Sequence, residues 1–491
     1  MLTYSFEHAG SDSLYEYLYK CIKNDILSGT LPPDYKLPSK RTFAKNLGVS
    51  TITIENAYGQ LVAEGYLYSL PKKGFYVSDI STIQPSAPLS SSIFSGKNSA
   101  NSSSFDIIHP TVISPLISEH ETSEFQYTAD LTSNRTKTAN FPFFTWSKIM
   151  KEIVTEQSQE LMTPSPAAGI LPLRKAIASH LYDFRGMQIS PDQIIIGAGT
   201  EYLYSLLIQL LGHDKTFAVE DPGYGKIRMI YESNQVQVES VPLDDDGIHM
   251  KSLERTQADI LHISPSHHYP TGIITPISRR YELLGWALKH ENRYIIEDDY
   301  DCEFRFSGRP IPSLQSIDVS DKVIYMNTFT KSLSPTIRIS YMVLPQSLMK
   351  EFNSRLGFYS CTVSNFEQYT LARFIEEGHF EKHINRMRIF YRKQRDMLIH
   401  AIQKSPLSDY VQIQEKDAGL HFLMKVQTSA TDHELIDRAR KQGLKIACLS
   451  QYYHNPAFAV MHTLVINYSS IDEEGMDEAI HSLLAVVKSS S

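Results

Sequence analysis

Apolar positions recur along this chain in changing rhythms, and each change marks a boundary. From Leu14 to Leu27 they fall at 14, 18, 22 and 26, one face of an amphipathic helix that Ser13 is placed to cap. Gly29 and Pro32-Pro33 stop it. Ser39 is placed to cap a short helix ending near Asn46, and Gly48 supplies a tight turn. Ser50 then opens a second helix, Thr51 to Glu64, with Ile54, Ala57, Tyr58 and Leu61 on its buried face. Two helices joined by a short Gly turn make a helix-turn-helix. Tyr66 to Val77 alternates around Pro71-Lys72-Lys73-Gly74, which predicts a hairpin with a basic tip, a wing.

Ser81 to Ser104 has no period and is rich in Ser, Asn and Pro, so it reads as a flexible tether. Its span averages roughly 25–30 Å by random-coil scaling. Beyond it, short apolar runs alternate with helical patterns, the signature of an α/β sheet. Gln193 to Leu211 is a four-residue apolar strand, a turn Gly197-Ala198-Gly199-Thr200, then Leu203, Leu206, Leu207, Leu210 and Leu211 at helical spacing. Strand, small-residue turn and helix N-terminus form a cradle for phosphate. Arg293 to Arg305 is an apolar strand ending in Glu297-Asp298-Asp299-Tyr300-Asp301. Ligands bind at the carboxyl ends of such strands. A capped loop or a metal site is the other reading, but no His or second acidic cluster at ligand spacing accompanies the run.

Ile324 to Pro345 reads as strand, polar turn, strand, with Thr328, Thr330 and Lys331 in the turn and Arg338 beyond it. Taken alone, it is also readable as a surface Lys-Ser turn. Between buried strands, however, an ammonium is costly unless its pKa falls or chemistry consumes it. Imine formation with an aldehyde does the latter, and the two hydroxyls and Arg338 suit a phosphate close by.

Composition narrows the classes. At 491 residues the chain exceeds one core, so two or more domains are expected. The net charge of −8 carries no bulk signal for nucleic acid, so DNA binding must come from a local surface. Cys21, Cys302, Cys361 and Cys448 are far apart, which fits a reducing cytoplasm. The start MLTYSFEHAGSDS lacks the features of a signal peptide, and no apolar run is long enough to span a membrane.

The run LPSKRTFAKNLGVSTITIENAYGQLVAEGYLYSLPKKGFYV resembles the winged helix-turn-helix of GntR regulators. The cradle, the acid cluster and the lysine, with EDPGYG, PSHHYPTG, EDDYDCEFRF and TKSLSPTIR, resemble fold-type I pyridoxal 5′-phosphate (PLP) enzymes. The combination is most similar to the MocR subfamily of GntR transcriptional regulators. The resemblance implies a reader domain over 12–79, a linker over 80–104 and an aminotransferase-like domain over 105–491. That last domain would have a mostly parallel seven-stranded sheet, helices on both faces, and a small α/β subdomain from about 370.

By the same resemblance, Ser39, Lys40, Arg41, Ser50, Thr51, Thr53 and Tyr58 face double-stranded DNA, with Lys72, Lys73 and Gly74 along its backbone. Thr51 stands where the family commonly has arginine, which removes an expected guanine contact. Lys331 is expected to form the internal aldimine with PLP. Gly199, Thr200 and Glu201 would give amides to the phosphate, joined by Thr328, Thr330 and Arg338. Tyr224 would stack on the ring and Tyr300 would bond its hydroxyl. Asp298 and Asp299 compete for the pyridine nitrogen, and the subfamily pattern favours Asp298. Lys226 stands where some relatives turn an arginine toward a ligand carboxylate. The adjacent His267 and His268 would point opposite ways on an extended chain, a loop under the ring rather than a zinc site. Phe366 to Ala401 reads as one long helix whose Arg386, Arg388, Arg392 and Arg395 form a solvated face.

Two family features are absent. No tyrosine stands near Ser165–Gly169, where the family reaches the partner subunit's phosphate, and Val465 replaces the arginine that grips a substrate α-carboxylate. The expectation is a cytoplasmic, head-to-tail homodimeric regulator sensing PLP or an amino compound, with slow or no transamination. An active aminotransferase carrying a DNA-binding module is the alternative.

Overall fold

In the N-terminal region, α1 (Leu14–Leu27), α2 (Lys40–Leu47) and α3 (Thr51–Ala63) pack under a hairpin of β1 (Leu67–Leu70) and β2 (Gly74–Val77). Ser39 and Ser50 cap α2 and α3, their hydroxyls accepting from the Thr42 and Thr53 amides, and Gly48 makes the turn at φ 67°. Ser13 precedes α1 without a side-chain cap bond. Leu18, Ile22, Phe43, Ile54, Ala57, Tyr58 and Leu61 are fully buried. This computed structural model describes residues 4, 13–70, 73–79, 127–133, 136–306, 312–414, 419–469, 471 and 475–488. Lys72 and the 80–104 tether lie outside them.

The second region opens with β3 (Ala129–Asp130), α4 (Phe143–Glu156), α5 (Ser158–Leu161) and α6 (Leu171–Arg185). Strand and helix then alternate: β4 (Ile194–Gly197), α7 (Thr200–Leu211), β5 (Thr216–Asp221), α8 (Gly225–Ser233), β6 (Gln237–Asp244) and β7 (Gly247–Ile248). There follow α9 (Met250–Leu253), β8 (Ile260–Ile263), α10 (Ile277–Leu288), β9 (Tyr294–Asp298), α11 (Leu314–Ile317), β10 (Val323–Thr328), α12 (Phe329–Ser332) and β11 (Ser340–Val343). The sheet order is β4-β11-β10-β9-β8-β5-β6-β7. All pairs are parallel except those of β11 and the two-residue β7, so the expected seven strands gain a short hairpin edge. β4, β8, β10 and β11 are buried along their whole length, because helices cover both faces.

The chain ends with α13 (Gln346–Arg355), α14 (Asn365–Glu376), α15 (His379–Lys404), β12 (Val411–Gln414), β13 (His421–Val426), α16 (Asp432–Lys441), β14 (Leu444–Lys445), β15 (Thr463–Asn467) and α17 (Met476–Lys488). The order β12-β13-β15 is antiparallel. β3 returns to pair with β14, and Leu131 enters the core of this smaller unit. The expected single helix from Phe366 to Ala401 is two. Gly378, at φ 73°, breaks it into α14 and α15.

The N-terminal region is docked on the large one. Gly65 lies so close to Pro276 and Ile277 that an added Cβ would collide with them. The Ile277 amide donates to the Glu64 carbonyl at 3.1 Å, and Ile277 joins the reader's own core.

Candidate functional site

Register brings the candidate residues to one edge of the sheet. Ser340, at the start of β11, sits opposite Gly197 on one side and Thr328 on the other, and Met326 pairs with Asp298. Parallel β4, β9 and β10 therefore deliver Gly197, Asp298 and Thr328 to the same rim.

Two adjacent acids there have opposite fates. Asp299 turns to Arg185, and the two form a buried ion pair with a further bond from the Tyr325 hydroxyl at 2.7 Å. Burial pushes the Asp299 carboxyl up, but the Arg185 guanidinium outweighs it and holds the group below its ordinary range. Asp298 is also buried, at 6 % exposure. Its Oδ2 accepts from the Tyr204 hydroxyl at 2.6 Å, which in turn bonds the Thr200 hydroxyl, and His262 Nε2 stands 3.5 Å away. Its Oδ1 has no partner. A buried carboxylate oxygen left unmet costs about 1–3 kcal/mol or more, so this atom is set for a donor that the chain does not supply.

Lys331 sits on α12, half-buried. Burial pushes its amine below the ordinary lysine value, and Asp301 opposes the shift. No hydrogen bond or ion pair engages it among the described residues. Asp301 itself takes His267 Nδ1 at 2.8 Å, with the Tyr300 hydroxyl 3.4 Å from the same nitrogen. His268 turns away to Thr271 and toward Glu220, so the neighbouring histidines diverge. Glu220 accepts from the Ser264 amide at 3.0 Å, and burial pushes it up to about 8.

At the N-terminus of α7, Gly199 holds φ 91°, and a Cβ there would collide with the Arg338 guanidinium. The Gly199 amide donates to Gly197 at 2.9 Å, which leaves the Thr200 and Glu201 amides as the open donors of that turn. The Glu201 carboxylate bridges Lys226 at 2.5 Å and Arg338 at 3.3 Å. The Thr328 hydroxyl oxygen accepts from the Thr330 amide at 3.1 Å and from Ser340 at 2.8 Å, while the Thr330 hydroxyl donates to Ile337 at 3.2 Å. The Gly199 amide and the Thr330 hydroxyl thus spend their hydrogens internally where the sequence suggested donors to a phosphate, whereas the Thr328 hydroxyl accepts both of its bonds and keeps its own hydrogen for donation. Tyr224 is half exposed, edge-on to Tyr269, whose hydroxyl meets that of Tyr452 at 2.9 Å. Val465 packs in an apolar cluster with Leu423 and Leu449. No group of three or more potential metal ligands occurs among the described residues, and none of their helices is long and apolar enough to cross a membrane.

In the N-terminal region, Arg41, Thr51 and Lys73 are exposed, as are Ser39 and Ser50 in their capping roles. Lys40 pairs with Glu55 at 2.6 Å, and Thr53 and Gly74 are half-buried. Tyr58 corrects the sequence reading. It is fully buried, its hydroxyl donating to Pro38 at 3.0 Å, so it cannot face DNA. Its position in the helix period already put it on the core face. Ile52, 68 % exposed beside Thr51, was passed over, because an apolar residue at a helix start carries no polar signal.

Residues 14–77 match the family described as bacterial regulatory proteins, gntR family, and residues 129–483 match aminotransferase class I and II. An uncharacterized HTH-type transcriptional regulator, YdeL of Bacillus subtilis, is 37 % identical over 476 residues, covering 97 % of each chain. The probable rhizopine catabolism regulatory protein MocR of Rhizobium meliloti is 31 % identical, covering 96 % of this chain and 93 % of its own. The chain belongs to the MocR subfamily of GntR transcriptional regulators. A kynurenine aminotransferase of Pyrococcus horikoshii superposes with a TM-score of 0.65 at 24 % identity, over 74 % of this chain and 91 % of that one. The large domain of this MocR-type regulator therefore has the fold-type I aminotransferase fold.

Arg185, Tyr204 and His262 were also missed from sequence. Tyr204 stands four residues after Thr200 and so shares its helix face, a usable signal. Arg185 reaches Asp299 across 114 residues, and nothing local marks that contact. Arg388 is another correction. It is half-buried over Phe184 at 5.4 Å, with Nε donating to the Glu303 carbonyl, rather than on a solvated face.

Proposed function

We propose that this MocR-type regulator binds operator DNA through its winged helix and holds PLP in its aminotransferase-fold domain, where PLP or an amino compound sets how the DNA readers are presented. The observation that carries this reading is a pair of groups on one sheet rim: the buried, unpartnered Asp298 Oδ1 and the half-buried Lys331 amine, whose pKa burial lowers. PLP, when bound, supplies an aldehyde and a ring that withdraws electrons when its nitrogen is protonated. Lys331 would hold it covalently, its lowered pKa keeping more amine in the nucleophilic form. Asp298 would accept the ring N–H with Oδ1 while Tyr204 keeps Oδ2 in place. Tyr300 would bond the ring hydroxyl, and Tyr224 would cover the face. The Thr200 and Glu201 amides, beside Gly199, Thr328 and Thr330, would take the phosphate, with Arg338 turning to it from Glu201.

On the DNA side, Arg41, Lys73 and Lys72 would neutralise phosphates, and Thr51 with Ile52 would meet base edges and thymine methyls. A second copy would cover the exposed Phe143 and Phe144 of α4, giving a homodimer. Exchange of the Glu64–Ile277 contact between copies would make it head-to-tail. The apolar surroundings of Val465 favour regulation over transamination of ordinary α-amino acids.

Titrating PLP into purified protein tests the cofactor reading. A visible absorbance band that borohydride fixes, and that Lys331→Ala abolishes, is the expected result. Protein that stays colourless would overturn it. Mobility shifts of promoter DNA with and without PLP then test sensing, which fails if the Lys331→Ala variant responds as wild type does.

A further inference from the structure

The support of Asp298 does not end with Tyr204. β8 pairs in parallel with β9, which sets His262 opposite Ile296, two residues before Asp298 and on the same face of the sheet. The buried His262 points Nε2 at Asp298 Oδ2 across 3.5 Å, and that nitrogen makes no hydrogen bond. On the far side of the ring, Nδ1 meets the hydroxyl of Tyr231, a fully buried residue of α8, at 2.6 Å. The His262 ring is edge-on to Tyr204 at 5.2 Å and to Tyr231 at 5.7 Å, so packing fixes its plane.

Tyr231 decides which nitrogen of His262 carries the hydrogen. Burial, with Asp298 nearby, pushes the Tyr231 hydroxyl well above its ordinary pKa, so it keeps its own hydrogen. Among the described residues, Nδ1 is the one acceptor within its reach. The O–H therefore donates to Nδ1, and the neutral ring carries its hydrogen on Nε2, facing Asp298. No lysine or arginine pairs with Asp298 among the described residues, Arg185 being claimed by Asp299. Glu220, Tyr204, Tyr231 and Tyr300, the titratable groups around it, bring no positive charge. Only O–H and N–H donors are left to favour the carboxylate over the acid. At 3.5 Å the Nε2–H acts as a dipole rather than as a full hydrogen bond, but out of water it still favours the charge.

We propose that His262 and Tyr231 are positioning residues for PLP: Tyr231 directs the His262 hydrogen to Nε2, and that hydrogen, with the Tyr204 hydroxyl, keeps Asp298 a carboxylate whose Oδ1 is free for the ring N–H. The inference rests on the cofactor reading above and extends it to two groups that reach PLP only through Asp298. Without the Tyr231 hydroxyl, the hydrogen of His262 can move to Nδ1. A bare Nε2 then faces Oδ2 and draws a proton onto Asp298, and the resulting acid no longer favours a protonated ring.

Two nuclear magnetic resonance measurements on the full-length protein test this. In protein prepared without PLP, with labelled histidine ring nitrogens, the signal that His262→Gln removes should show hydrogen on Nε2. In protein loaded with PLP labelled at its ring nitrogen, wild type should give the protonated-ring signal. Tyr231→Phe and His262→Phe should shift it toward the unprotonated position. His262→Gln, whose amide can offer an N–H toward Oδ2, should leave it unshifted. Should His262→Phe fail to fold, Tyr231→Phe, which loses a single oxygen, decides. Hydrogen on Nδ1 in wild type, a ring that stays protonated in Tyr231→Phe, or a shift with His262→Gln as large as with the phenylalanine variants would each overturn the inference. Wild type that takes up no PLP would sink the cofactor reading and this inference with it, an outcome told apart by the missing visible band.

Discussion

The two halves of this regulator keep their polar groups in opposite conditions. In the winged helix, Arg41, Thr51 and Lys73 stand in water, Ser39 and Ser50 close their own helix ends, and Lys40 has Glu55. At the rim of the large sheet, Lys331, Asp298 and Glu220 are wholly or partly drawn out of water, and Asp298 keeps an unpartnered oxygen. An exposed charge acts at a distance, weakly, and is screened by salt. A desolvated group acts only on what enters its pocket, but strongly. The division suits a protein that reads a polyanion at one end and a single small molecule at the other.

The comparison breaks first, and most severely, in the large domain. Arg185→Ala strands Asp299 as a buried, uncompensated charge, and the expected loss is about 3–5 kcal/mol in denaturant unfolding. An effect near that of an ordinary surface substitution would mean that the rim is wetter than its packing implies.

Next comes pH. Burial raises the Glu220 carboxyl from its ordinary value of 4.5 to about 8, so between those values the folded protein holds a proton that the unfolded chain releases. Stability contributed by this group is therefore full at low pH and falls as pH rises toward about 8. Glu220→Gln should flatten that decline in urea midpoints measured from pH 5 to pH 8. The buried His268 and His421, pushed down to about 3, act in the opposite direction at acid pH, so their limb of the profile should be unchanged by the substitution.

In the reader the effects should be smaller and of another kind. Arg41→Ala and Lys73→Ala should each lower the log–log salt slope of DNA binding by about 1, uniformly across sequences. Lys40→Ala should lower it less, since Glu55 already neutralises that charge. The smallest effect belongs to Tyr58→Phe, which removes the bond to Pro38 and should cost about 1 kcal/mol of stability while leaving base preference unchanged. A change in preference would restore Tyr58 to the DNA face.

Much of this was legible in the sequence, because it rests on local signals. Period and capping residues mark α1–α3, and uninterrupted apolar runs mark β4, β9 and β10. Chain order alone assembles Gly199, Asp298 and Lys331 into one motif set. What was not legible depends on partners distant in sequence. Nothing near Asp299 says that Arg185 will claim it and leave Asp298 with an unmet oxygen. Nothing near Glu303, the second glutamate of EDDYDCEFRF, says that its carbonyl will take Arg388 of α15. Tyr58 failed differently. Helix period and family resemblance gave contrary readings, and the packing period won.

The dock between reader and large domain also sets a timetable for synthesis. Glu64 leaves the ribosome some two hundred residues before Ile277, the side chain that completes the reader's core. At ordinary elongation rates the newborn winged helix waits roughly 10–40 s with that apolar seat uncovered. Whatever first shields the seat, a chaperone or the neighbouring nascent chain, has the opportunity to decide which copy's α10 the reader will occupy.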